Sequence, residues 1–101
     1  MKNKIAKAVI SSVMGVEPKD IMVLELETDF AVVYYLVGNE KMKYKVKSTG
    51  SKAVWGTLGG RWRDHELEST ISFREIGDEL LISEKFHDGS LINNTFTLKD
   101  L

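Results

Sequence analysis

The stretch Phe30-Ala31-Val32-Val33-Tyr34-Tyr35-Leu36-Val37 carries no charged side chain at any position. Its β-branched and aromatic residues suit an extended strand, whose side chains alternate between two faces. Both faces of this strand are therefore apolar, and both need cover. One helix can cover one face of a sheet. The other face needs the rest of the chain, brought round by curvature into a roll or barrel, or else a second subunit. A strongly curved sheet around a helix is the expected architecture, with a homodimer through that sheet as the alternative.

Upstream, Ile5, Ala8, Val9, Ser12, Val13 and Val16 recur at helical spacing, while Lys4, Lys7 and Ser11 fall off that stripe. Gly15 can take the left-handed conformation that ends a helix, and Pro18 blocks its resumption. The pattern thus predicts an amphipathic helix from about Asn3 to Met14. A basic start before an apolar stretch superficially resembles a secretory leader. Lys7 interrupts that stretch, Ser11 and Ser12 dilute it, and no small-residue cleavage site precedes Glu17-Pro18.

Beyond Pro18 the period changes to two. Strands are predicted at Asp20 to Thr28, Phe30 to Val37, Lys41 to Ser48, Lys52 to Leu58, His65 to Ile76, Glu79 to His87 and Leu91 to Leu98. Gly38-Asn39, Thr49-Gly50, Gly59-Gly60, Gly77-Asp78 and Asp88-Gly89 are turn-forming pairs that make most connections hairpins. The expected fold class is α+β. A single domain over residues 1–101 packs its N-terminal helix on a curved, mostly antiparallel meander of six or seven strands.

Charge is distributed unevenly. Seven of the fourteen basic residues (Lys41, Lys43, Lys45, Lys47, Lys52, Arg61 and Arg63) lie between positions 41 and 63, which hold no acid. The remainder carries seven bases against fifteen acids. A cationic segment inside an anionic body can steer an acidic partner although the net charge is only -1. In Lys41-Met42-Lys43-Tyr44-Lys45-Val46-Lys47 the strand period puts four lysines on one face and Met42, Tyr44 and Val46 on the other. Such a row could meet an acidic protein surface or a phosphate backbone; it is also how a solvated sheet face looks.

Both tryptophans fall in the same segment. Trp55-Gly56-Thr57-Leu58-Gly59-Gly60-Arg61-Trp62-Arg63 interleaves indole, guanidinium and flexible backbone, a composition common at interface anchors and base-stacking surfaces. The sequence leaves open whether the indoles fill the core beneath the helix or lie on the surface. In an extended strand Arg61 and Arg63 would share one side and Trp62 the other.

Catalytic signatures are not evident. The absence of cysteine excludes disulfides, thiolate zinc sites and a cysteine nucleophile, and is compatible with a reducing cytoplasmic setting. Gly56, Gly59 and Gly60 match neither Walker nor dinucleotide spacing and fit a bulge or bend better. His65 and His87 lack a partner motif, and Glu25 with Glu27, like Glu66 with Glu68, reads as a solvated strand face. No cofactor, metal site or catalytic residue is assigned. No apolar run approaches the roughly 18 residues of a membrane-spanning helix.

From Ile5 to Val54 the order of elements resembles the PepSY-type domain. The shared pattern is a small-residue-rich helix, Gly15-Val16, an acidic Asp20-Ile21 strand entry, a hairpin, and a strand reading Lys43-Tyr44-Lys45-Val46. It closes with Thr49-Gly50-Ser51-Lys52-Ala53-Val54. Lys47 stands where that family tends to carry an acid before the turn, and residues 55–101 have no counterpart in it. The resemblance implies a non-enzymatic module that contacts or inhibits another protein.

The leading expectation is a non-enzymatic binding or accessory protein that docks an acidic protein partner through Lys43, Lys45, Lys47, Trp55, Arg61, Trp62 and Arg63. Single-stranded nucleic acid binding through the same surface is one alternative. Small-molecule binding inside the curved sheet is the other.

Overall fold

A computed structural model describes residues Met1–Leu101. Helix α1 spans Lys2–Met14 and stops at Gly15, whose φ of 68° is left-handed and whose N–H bonds the Ser11 carbonyl. Its buried residues are Ile5, Ala6, Ala8, Val9, Ile10 and Ser11, a wider set than the sequence stripe. The reason is the sheet's curvature, which packs strands against α1 from several sides. Ser11 is thereby enclosed, and its hydroxyl donates to the Val16 carbonyl.

A short 3-10 turn at Pro18–Asp20 leads into seven strands: β1 Met22–Leu26, β2 Ala31–Val37, β3 Glu40–Thr49, β4 Lys52–Thr57, β5 Thr70–Ile76, β6 Glu79–Lys85 and β7 Leu91–Thr97. They form one sheet in sequence order, each strand antiparallel to the next, curled into a half-barrel around α1. The α+β meander expected from the sequence is the fold. No helix is long and apolar enough to cross a membrane.

The fifth strand departs from expectation. It begins at Thr70, and residues 65–69 belong to a long β4–β5 connection. Alternation in His65-Glu66-Leu67-Glu68 mimics a strand, yet β4 and β5 pair only at Lys52↔Ser72 and Ala53↔Ile71. Without a ladder partner the segment turns instead, with the Glu68 N–H bonding the His65 carbonyl. The first strand is also shorter than predicted, because Pro18–Asp20 form a turn and the register slips between Val23 and Glu25. β1 also ends at Leu26, so Glu27 lies in the following turn and does not share a strand face with Glu25.

The concave face holds the core. Val33, Tyr44, Val46, Trp55, Ile71, Leu80 and Ile82 close over Ile5, Ala8, Val9 and Ile10, with Tyr35, Phe73 and Phe96 partly buried around them. Two polar contacts tie β7 and the turn after it to the helix: Asn94 donates to the Ser12 hydroxyl at 2.7 Å, and Lys4 to the Leu98 carbonyl at 2.9 Å.

Within this core Tyr44 stacks against Tyr35 at 5.7 Å, their hydroxyls 3.2 Å apart. Burial, and secondarily the Tyr35 hydroxyl, push the Tyr44 phenol up to about 12 from an ordinary 10.0. The fold favours the neutral phenol, while the unfolded chain loses its proton near pH 10. Tyr44's contribution to stability is thus complete below pH 10 and is lost as pH rises towards 12. Denaturant unfolding across that interval should show stability falling, with a shallower decline in Tyr44→Phe; identical slopes would show that Tyr44 is not the group involved.

Candidate functional site

β3 sets out the basic row as its alternation requires. Tyr44 and Val46 point into the core, so Lys41, Lys43, Lys45 and Lys47 project from the convex face. Across β2 they stand beside Leu36, Tyr34, Val32 and the neighbourhood of Phe30, because Lys41, Lys43 and Lys45 are the register partners of Leu36, Tyr34 and Val32. Val32 is only 1% exposed although it lies outside the concave core. Something on the convex side covers it.

The cover is the start of the β4–β5 connection. Leu58 bonds back to the Lys43 carbonyl, Gly60 to the Thr57 carbonyl, and the Lys45 ammonium donates to the Gly60 carbonyl at 2.6 Å. These contacts fold residues 58–61 over Gly56, where a Cβ would collide with the Arg61 carbonyl oxygen. Only glycine lets the backbones approach so closely. Trp62 then lies on the row: its ring is 4.6 Å from the Lys45 ammonium, 4.4 Å from that of Lys47, and edge-on to Phe30 at 5.9 Å. Each cation–π contact of this exposed kind contributes about 0.5–1 kcal/mol.

The next residue crosses the sheet edge. The Arg63 N–H bonds the Trp55 carbonyl, and its guanidinium sits 5.1 Å over the Trp55 ring. Trp55 itself is 8% exposed, packed edge-on to Tyr44 in the core. Both arginines converge on one carboxylate, Glu68 Oε1, at 2.8 Å from Arg61 and 3.2 Å from Arg63. The Arg61 hydrogen bond, supported by Arg63, holds Glu68 below the usual carboxylate range against an opposing effect of desolvation. Beside this clasp, the splayed β4–β5 seam leaves a hollow of about 240 Å³ whose walls mix Trp55, Arg63, His65 and Glu68.

The seven residues expected to form one surface are therefore divided among three places. Lys45, Lys47 and Trp62 come together on the convex face, and Lys43 stands exposed beside them. Trp55 belongs to the concave core, so only one indole lies beneath the helix's side of the sheet. Arg61 and Arg63 sit on a connection, not a strand, and share the single charge of Glu68. Sequence reasoning took Glu68 for part of a solvated strand; its position just after the basic run was the available signal. Phe30, Val32 and Gly56 were missed as the seat of Trp62.

No family model matches this chain, and neither curated proteins nor solved structures supply a significant match. The convex surface has to be interpreted from its own chemistry.

Gly56→Ala should lower stability by about 1–3 kcal/mol, the usual cost of forcing atoms into a filled site, and increase acrylamide quenching of Trp62. Unchanged quenching and stability would mean the connection is not seated on Gly56. Because folding depresses the Glu68 pKa, the clasp's contribution is present above the ordinary carboxylate value of about 4.3 and is lost as pH falls below it. Tryptophan emission should change on acidification through that range, and Glu68→Gln should remove the change.

Proposed function

We propose that this chain is a non-enzymatic binding module that docks an acidic protein partner on the convex face of β2–β4. One observation carries the reading: β3 presents four lysines on that face without a carboxylate partner, whereas both ion pairs of the molecule belong to the Glu68 clasp. Lys43, Lys45 and Lys47 would supply the charge complementarity, with Trp62 as the aromatic element among them. Arg61, Arg63 and Trp55 serve as supports that hold Trp62 in place. The resemblance of residues 5–54 to PepSY-type modules adds to this reading, and the cysteine-free composition is compatible with a cytoplasmic setting.

A protein partner is preferred over single-stranded nucleic acid because base stacking needs a free aromatic face. Trp55 is buried, Trp62 is occupied by two lysines, and Tyr34 has the Lys41 ammonium 4.9 Å from its ring. Fluorescence anisotropy with labelled poly-glutamate and oligo-deoxythymidine, at low and moderate salt, tests the choice. Poly-glutamate should bind in a salt-sensitive manner, lose about tenfold in affinity on Lys43→Glu with Lys47→Glu, and be little affected by Lys99→Glu at an exposed position outside the site. Retained affinity in the lysine variant would sink the proposal, and tighter, salt-sensitive binding of the oligonucleotide would replace it with the nucleic acid reading.

A further inference from the structure

The convex face has two halves of similar chemistry and unlike fate. In one, Phe30 and Val32 alternate with Lys45 and Lys47, and Trp62 covers them. In the other, Met22, Tyr34 and Leu36 alternate with Lys41 and Lys43, and only the Lys41 ammonium lies over the half-buried Tyr34 ring: Met22 is 50% exposed and Leu36 59%. The covered half thus displays, inside the molecule, how such a surface is satisfied. An aromatic ring lies on the apolar strip while oxygen acceptors reach the ammonium groups, as the Gly60 carbonyl reaches Lys45.

The bare half also has a recess to receive an anchor. β1 begins at Met22, opposite Tyr34, so Tyr35, Leu36 and Val37 have β3 on one side and no strand on the other. The notch left there measures about 450 Å³ and is walled by Val16, Met22, Tyr34, Leu36 and Val37, with Asp20 its one charged member. A hollow with apolar walls beside unpaired charges is the setting in which a buried aromatic side chain anchors an interface.

We infer that the notch between β1 and the end of β2 is the anchor site of the partner, and that the occupant is an acidic protein segment bearing an aromatic or long aliphatic side chain. The anchor fills the notch against Leu36 and Met22, and carboxylates beside it pair with Lys41 and Lys43. This inference rests on the protein-docking reading and specifies the partner's chemistry. Charge selects this occupant over two others. A twofold copy of the chain would set this lysine-bearing patch against itself and so bring no acidic strip to meet Lys41 and Lys43. An anionic bilayer would press equally on Asp20 and on Glu40, the register partner of Val37, whereas one segment can direct its carboxylates to the lysine side alone.

The test uses a short fluorescein-labelled peptide alternating Asp or Glu with Phe and Leu, and a control peptide with lysines in place of the acids. The acidic peptide should bind and the control should not. Leu36→Ser, at an exposed position where folding is maintained and thermal unfolding verifies it, should weaken binding about tenfold, as should Lys41→Glu with Lys43→Glu. Loss in the lysine variant with full affinity in Leu36→Ser overturns the notch while leaving the cationic docking surface standing. Failure of this peptide together with poly-glutamate overturns both readings. Leu36-dependent sedimentation with phosphatidylserine vesicles without peptide binding, or a dimer abolished by Leu36→Ser, overturns the proposal in favour of a bilayer or a second copy.

Discussion

Strand β2 has to be sheltered on both faces, and the architecture follows from how the two shelters are supplied. Val33 turns into the concave core and Val32 out of it, yet each is almost wholly removed from water. Helix α1 and the curvature of seven strands enclose the first. Trp62 and the alkyl stems of Lys45 and Lys47 screen the second, long basic side chains being able to lay apolar carbon over a surface while their charges stay wet. Toward its end β2 outruns both shelters, and Leu36 and Val37 stand in solvent.

The basic segment consequently does two kinds of work. Part of it is spent within the molecule: Arg61 and Arg63 share a carboxylate, and Lys45 and Lys47 hold an indole. Exposed ion pairs of this kind contribute little to stability, so the value of the clasp is geometric, fixing where the chain crosses the edge of β4. The remainder, Lys41, Lys43 and Lys52, faces outward without an acid. An electropositive sequence run is therefore not one surface, and its apparent charge overstates what a partner would meet.

Much of the fold was legible because its elements are local. Period two, hairpin dipeptides and the Gly15-Pro18 stop each act over a few residues, and each appears in the structure near its expected place. The β4–β5 connection was not legible, because His65-Glu66-Leu67-Glu68 has strand-like alternation and only the splaying of β4 from β5 decides against it. Trp62 was located in sequence but not in space. Whether an indole joins the core or the opposite face depends on Gly56 admitting the backbone of Arg61, a contact between different elements. The apolar strip of Met22, Tyr34 and Leu36 was hidden for a related reason: the sequence shows both faces of β2 to be apolar but not where β1 begins.

Every strand of the sheet pairs with its neighbour in sequence, and this shapes the route to the folded state. Each pairing closes a short loop except that across residues 58–69, so the loss of chain entropy is taken in small steps along the sheet. The exception is α1. Ser12 meets Asn94 and Lys4 meets Leu98 over separations of 82 and 94 residues, so α1 has to await β7 before its apolar face is fully enclosed.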